Sequence, residues 1–421
     1  MIKTLFIIII IFLVYSTEPL CPQENTEIVT SDIITSSDII TSIEVIGLRR
    51  TRLNLVLQEL EQFLWIESAA FDQNDVFAVI INLGILEPIS ALLVEGEDGL
   101  ILVVTVEEKW TIFPLPLIIF GSGEATFGLF FLDTNAFGFR DMLAIGGSYG
   151  SSGWSAITTY IHNPRRKGLP GWNTFFMYSQ QEREAVDRDR TIHRRYAADR
   201  LRFSLGLNYL IRDIVTTSFS LSFYDINLKN TDDMFNSPER GATILGFNPG
   251  ISLRQSNWDG FFLSQQTISM DYIYNYAISG LSFHQLEFRG IYEYSLVPGF
   301  RLNIRSGGVW KSTSDPLFEG GPSQAQVWIL PRNYSAQHYT GLSLGLEKYL
   351  YKTRWGTLSI QGSWQGVFSH GSISSSEINH GPAGGLHVYL SRLALPAMGA
   401  IIAYNMHSGL FQFSFNMGMS F

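Results

Sequence analysis

The chain closes on FQFSFNMGMSF, residues 411–421. Large apolar side chains stand at Phe411, Phe413, Phe415, Met417, Met419 and Phe421, with small or polar ones at Gln412, Ser414, Asn416, Gly418 and Ser420. A period of two marks an extended strand whose faces meet different surroundings. Eleven residues at ~3.4 Å each, tilted near 45°, rise about 26 Å, which matches the ~25 Å apolar band of a membrane-spanning barrel.

The same alternation recurs upstream. Phe203, Leu205, Leu207 and Tyr209 share a face, as do Phe219, Leu221 and Phe223; Phe300, Leu302 and Ile304; Leu342, Leu344 and Leu346; and Leu358, Ile360 and Trp364. Between them lie Ser204, Asn208, Ser220, Arg301, Asn303, Arg305, Glu347, Ser363 and Gln365. Such apolar faces are aggregation hazards in water and a requirement in lipid. Composition agrees: only 16% of 421 residues are charged, against 30 Phe, 18 Tyr and 38 Gly. Beyond the first 20 residues no apolar run reaches the ~18 needed for a spanning helix. Residues 111–421 are therefore expected to form a transmembrane β-barrel of about 16 antiparallel strands, an even number as single-chain barrels require. Long polar connections (residues 180–199, 227–241, 312–339 and 369–384) are expected at one end, and short turns such as residues 297–299 at the other. The net charge of −9 disfavours nucleic acid as a partner.

The N-terminus reads as an address. Lys3, the apolar run Leu5–Val14 and the small residues after it form a signal peptide over 1–16. Residues 17–42 read as a flexible tether in which SDIITS occurs twice. Within it Cys21, the sole cysteine, is either a lipidation site or an unpaired thiol, and no disulfide framework exists. Residues 43–110 change period. A strand (SIEVIG) precedes a helix with Leu53, Val56, Leu57, Leu60 and Leu64 on one face. A second helix, capped by Asp72 or Asn74, places Val76, Val79, Ile80 and Leu83 together before Gly84. Two apolar runs around Gly96–Gly99 make a hairpin. The order β-α-α-β-β defines a small α+β domain.

No catalytic constellation, cofactor motif or metal-ligand spacing stands out, and the chain does not read as an enzyme. A hydrolytic site at the rim would have to use His338 or His370. The connection from Ser312 to Tyr339, with Gly320-Gly321 and then Arg332-Asn333-Tyr334, exceeds ordinary loop lengths. It either folds into the lumen, where Arg332 needs a partner such as inward-pointing Glu347, with Gln365 on the next strand, or lies outside in solvent.

These residues together resemble the BamA/TamA superfamily of outer-membrane assembly barrels, also called the bacterial surface antigen family, over Ile43 to Phe421. The β-α-α-β-β unit is similar to a POTRA domain. DTNAFGFRD resembles the family's turn after the second strand, with Asn135, Phe137 and Gly138 matching. Gly320, Gly321, Arg332, Asn333 and Tyr334 are similar to the sixth extracellular loop, although Asn333 replaces a glycine and Gln365 an aspartate. Phe411, Phe413, Phe415 and Phe421 resemble the C-terminal signal shared by many outer-membrane barrels. The resemblance implies a location in the outer membrane with the N-terminal domain in the periplasm. It also implies insertion or translocation of client proteins through a seam between Thr111–Phe120 and Phe411–Phe421, with periplasmic chaperones or accessory lipoproteins as further partners. Pro114 and Pro116 either weaken the first seam strand or mark the approach from the N-terminal domain. The alternative function is a passive pore or structural surface antigen.

Overall fold

A computed structural model describes residues 39–417, apart from 122–123, 163–168, 213, 232–237, 259–261, 322–324, 354–355, 372–375 and 391–397. The signal-like stretch 1–16, Cys21 and Phe421 lie outside the described residues.

The N-terminal domain runs β1 (Ile40–Ile46), α1 (Leu53–Leu60), α2 (Gln73–Asn82), β2 (Leu86–Gly96) and β3 (Gly99–Glu108). Its sheet order is β1-β3-β2, with β1 parallel to β3 and the β2–β3 hairpin antiparallel. The first strand opens at Ile40, three residues earlier than expected, because Ile40 is buried and its amide bonds the Ile66 carbonyl. Asp72 caps α2 through the Asn74 amide, and Gly84 ends it at positive φ. The buried face of α1 differs from the expectation: Leu55, Val56 and Leu60 are buried, while Leu53, the first helical residue, is exposed. The helix tightens into a 3-10 turn at Glu61–Phe63, so Phe63 takes the core position.

Sixteen strands follow: β4 (Ile112–Gly121), β5 (Glu124–Ala136), β6 (Asp141–Gly150), β7 (Gly153–His162), β8 (Pro170–Val186), β9 (Ile192–Arg212), β10 (Val215–Thr231) and β11 (Ala242–Trp258) make the first half. The second half is β12 (Leu263–Ser279), β13 (Phe283–Val297), β14 (Phe300–Lys311), β15 (His338–Thr353), β16 (Gly356–His370), β17 (Glu377–Leu390), β18 (Met398–Asn405) and β19 (Leu410–Met417). Each pairs antiparallel with its sequence neighbour in one sheet that curls until β19 lies beside β4. Among the described residues no ladder joins those two, so the barrel carries an open seam.

Burial is inverted relative to a protein that folds in water. Leu205, Leu221, Leu344 and Ile360 stand half-exposed outside, whereas Arg301, Asn303, Arg305, Glu347 and Gln365 are buried inside. Each outward leucine left in water would forfeit ~1.5–3 kcal/mol of transfer energy, so the wall is built for acyl chains. Aromatic residues mark both borders of this belt. Tyr160 and Trp172 pack 4.7 Å apart at the end carrying the N-terminal domain, and Trp154 and Tyr178 pack 5.3 Å apart at the far end.

The expected contrast of long and short connections needs correction. Most of residues 180–199 is strand, leaving Asp187–Thr191 as a loop; β10 runs to Thr231, and β17 begins at Glu377. Long ladders carry these polar segments past the apolar belt, since residues outside lipid still gain from pairing their backbone groups. The 26-residue link between β14 and β15 remains the exception.

Candidate functional site

Three features converge on the lumen and its seam. The first is the turn after β5. Asn135 is buried and sends its amide to Thr51 Oγ1 at 2.9 Å, while its Oδ1 accepts the Arg140 amide at 2.8 Å. Phe137, Gly138 and Arg140 have φ of 57°, 77° and 59°, a tight turn that presents the Gly138 carbonyl to the Arg52 amide at 2.9 Å. A Cβ at Gly138 would lie 2.1 Å from the Arg50 carbonyl oxygen. Phe137 itself points outward, its ring 6.0 Å from Tyr160. Arg50 also pairs with Asp133 at 2.8 Å and donates to Thr111 at 2.8 Å, and Arg140 reaches the Asn82 carbonyl at the end of α2 at 3.1 Å. The residues singled out as a sequence signature thus hold the N-terminal domain against the barrel. Glu108 completes the joint by accepting the amides of Arg49, Arg50 and Thr51 at 3.0, 3.0 and 2.7 Å. Partial burial raises its pKa, but those amides outweigh the burial and hold it below the usual glutamate value.

The second feature is the filled lumen. The described residues of the link between β14 and β15 fold inward, and Ala325, Val327, Ile329 and Leu330 are buried against Val309, Tyr339 and Val367. Gly320 and Ala336 bond reciprocally and close the loop on itself, with Tyr339 OH on the Gly320 carbonyl at 2.6 Å. Gly321 lies near the Arg332 carbonyl. Gly341 admits the loop: a Cβ there would sit 2.2 Å from the Ala325 carbonyl oxygen. Gln365 accepts the Trp328 amide at 2.8 Å, and Tyr334 OH bonds Ser369 at 2.7 Å.

The expected pairing of Arg332 with Glu347 does not occur. Arg332 is exposed, and among the described residues no carboxylate pairs with it. Glu347, fully buried, is held instead by Arg301 at 2.7 Å, Tyr389 OH at 2.8 Å, Asn303 at 3.2 Å, His387 at 3.2 Å and Ser359. Arg301 lies directly across the ladder from Glu347, which satisfies that carboxylate without the loop. The cluster extends through Glu293, which pairs with Arg301 at 3.2 Å and Arg305 at 2.8 Å. Phe262, rising from the near end, lies under the Arg301 guanidinium at 4.7 Å. Sequence reading placed Arg301, Arg305 and Glu347 inside but assigned them no mutual contact, and it did not single out Tyr389, His387 or Phe262.

The third feature is a strap across the far mouth. The β8–β9 tip is organised by Asp187, whose side chain accepts the Asp189 and Thr191 amides at 2.9 Å each. Val186 pairs in parallel with Tyr334, its amide on the Asn333 carbonyl at 3.1 Å, and Arg194 pairs with Glu319 below. Arg190, at φ 67°, extends to the Phe411 carbonyl at 3.0 Å. Phe411 and Phe413 face outward and are exposed, while the side chain of Phe415 lies outside the described set. His338 and His370 stack at 5.6 Å, but their ring nitrogens meet the Lys311 amide and Ser376, and among the described residues no carboxylate orients either.

No protein-family model and no curated protein matches the chain. Solved structures do. CdiB from Acinetobacter baumannii superimposes with a TM-score of 0.58 at 12% identity, over 91% of this chain and 74% of that one. BamA from Haemophilus ducreyi lacking POTRA domains 1-3 gives 0.52 at 11% identity, over 90% and 84%. CdiB from Escherichia coli gives 0.50 at 12% identity, over 96% and 92%. The chain has the fold of these barrels, and the resemblance read in its sequence holds at that level.

Proposed function

We propose that this protein is an outer-membrane assembly or translocation barrel that passes client proteins through its lateral seam, with a POTRA-like domain in the periplasm. The observation that carries this reading is the open seam between β4 and β19, in a barrel whose other neighbours are all laddered. Unpaired backbone groups in hydrocarbon cost several kcal/mol each, so a seam left open is a place where another strand gains by pairing. The domain fixed at the near mouth, with the sheet edges of β1 and β2 available for strand addition, suits the capture of extended clients or of chaperones and accessory lipoproteins. The likeness to BamA and CdiB supports the same reading. No bond chemistry is involved. The passive-pore alternative is disfavoured by the apolar loop and the ion-pair cluster that fill the lumen. Depletion of the protein tests the proposal: other outer-membrane barrels, or one exported protein, should fall in abundance. Unchanged barrels and exports with altered solute permeability would refute it.

A further inference from the structure

The lumen has two unlike walls. The loop between β14 and β15 seats mainly on the β14–β18 side, against Val309, Tyr339, Val367 and Ala403. On the wall formed by β8–β13, Arg183 (β8), Arg200 and Arg202 (β9), Arg254 (β11) and Arg289 (β13) point inward, by the same parity that buries Ser179, Ala198, Ile244 and Ile291. Arg183, Arg254 and Arg289 are nonetheless exposed, so space remains beside this wall. Among the described residues no carboxylate pairs with any of these arginines, whereas Arg194, Arg301 and Arg305 on the same inner surface each hold one. The chain has 38 Asp and Glu against 29 Lys and Arg, so carboxylates are not scarce. The wall's own Asp271 and Glu287 stand across the ladder from each other rather than from an arginine.

These guanidiniums are held in place with donors left over. Arg202 lies between the Phe175 and Tyr224 rings, 5.0 and 4.9 Å away, and Arg200 donates to Tyr196 OH at 2.9 Å. The Nε of each is shielded from solvent and has no partner. Arg305, 2% exposed, gives Nη2 to Glu293 and keeps Nε and Nη1 unpaired. Arg183 is within electrostatic reach of Arg200, and Arg289 of Arg254 and Arg305. Like charges collected in a channel with low-dielectric walls raise its potential and draw in an anion, and the planar guanidinium fork matches a carboxylate.

The array is too long for a compact anion. Arg183 stands near the far end of β8 and Arg254 near the opposite end of β11, so the cations run down much of the wall. On the β4–β6 side the lumen is apolar, with Phe113, Leu115, Leu132 and Met142 clustered inside. An extended strand with carboxylates on one face and apolar side chains on the other meets both walls at once. We infer that the arginine wall is a docking site for an acidic, extended segment of a client protein. The inference rests on the proposed function for the source of that segment, and it assigns the lumen a preference for negative charge.

The test uses the full-length protein in phosphatidylcholine nanodiscs and a fluorescein-labelled peptide alternating Glu and Val, with a Gln–Val peptide as its neutral counterpart. Fluorescence anisotropy should show the acidic peptide binding at least about tenfold more tightly. Arg254→Gln/Arg289→Gln should weaken it by about tenfold, the order expected for two partly solvated ion pairs, and Arg254→Lys/Arg289→Lys should recover most of that loss. Arg183→Gln/Arg200→Gln should act likewise from the far end. Because these arginines face other cations, both Gln variants should unfold in urea at an unchanged or higher midpoint, whereas a structural role would lower it. Equal binding of the two peptides, unchanged affinity in both Gln variants, or a lowered midpoint would each overturn the inference. So would displacement of the peptide by a short-chain phosphatidic acid, which gives the wall to a lipid. Tighter binding after removal of residues 17–38 would also overturn it, by giving the wall to the chain's own Glu18, Glu24, Glu27, Asp32 and Asp38. Such failures leave the assembly reading standing if depletion still lowers other barrels, whereas a depletion without effect removes that reading and leaves the measured binding in place.

Discussion

Replacing Arg301 with Met leaves a buried carboxylate without its cation. Arg301 bonds Glu347 through Nε at 2.8 Å and Nη2 at 2.7 Å, and Glu293 through Nη1 at 3.2 Å. Glu293 retains Arg305, so the loss falls mainly on Glu347, which is 0% exposed. Neutral donors from Asn303, Ser359 and Tyr389 remain, but they cannot cancel a full charge. At an effective dielectric near 20, two unit charges 4 Å apart attract by about 4 kcal/mol, and breaking a buried pair on one side costs ~3–5 kcal/mol. Arg301→Met should therefore destabilise the barrel by ~3–5 kcal/mol, a large share of the 5–15 kcal/mol typical of folded proteins. The double variant Arg301→Met/Glu347→Leu restores neutrality, because Arg305 and Glu293 still balance, and should recover most of the loss. Urea titration of the detergent-folded protein, followed by tryptophan fluorescence and by the gel mobility of the folded form, measures both. A single variant within ~1 kcal/mol of the parent, or a double variant no better than the single, would refute the account of Glu347 as a fully desolvated charge held by Arg301.

The loop seat, the domain joint and its acid sensitivity can be probed in the same way. Gly341→Val should expel residues 312–337 from the lumen, because even a Cβ meets the Ala325 carbonyl at 2.2 Å. Planar-bilayer recordings should show steady conductance in that variant and none in the parent. Gly138→Ala should loosen the N-terminal domain, since φ is 77° and the new Cβ meets Arg50. Proteolysis between residues 46 and 53 should accelerate while the barrel keeps its folded gel mobility. The lowered pKa of Glu108 means that its contribution is complete above the ordinary glutamate value and fades as pH falls through the folded one. As pH falls through that lowered value the Arg49, Arg50 and Thr51 amides should lose hydrogen-exchange protection, and Glu108→Gln should produce the same loss at neutral pH.

Much of the architecture is legible in the chain because a barrel wall is a one-dimensional pattern. Alternation at Phe203–Tyr209 or Leu342–Leu346 states which face meets lipid, and the structure agrees at both. Contacts across the lumen are less accessible. Parity places Arg301 and Glu347 inside, but their pairing depends on the register between β14 and β15, strands joined by 26 residues that impose no turn geometry. Arg332 illustrates the converse: a loop arginine near an inward glutamate in sequence had no reason to reach it once Arg301 occupied that carboxylate. In α1, the helical period misplaces the end of the buried face, because the 3-10 turn at Glu61–Phe63 brings Phe63 into the core.

The bond from Arg190 to Phe411 joins residues 221 positions apart, while every ladder in the sheet connects immediate neighbours along the chain. Hairpins can accrete one after another with little loop entropy to overcome. The grip of Arg190 on Phe411, by contrast, cannot form until the last strand is made. Maturation is then expected in two kinetic phases, a rapid accumulation of wall and a slower fastening of the mouth, with the second absent from chains truncated after Asn405.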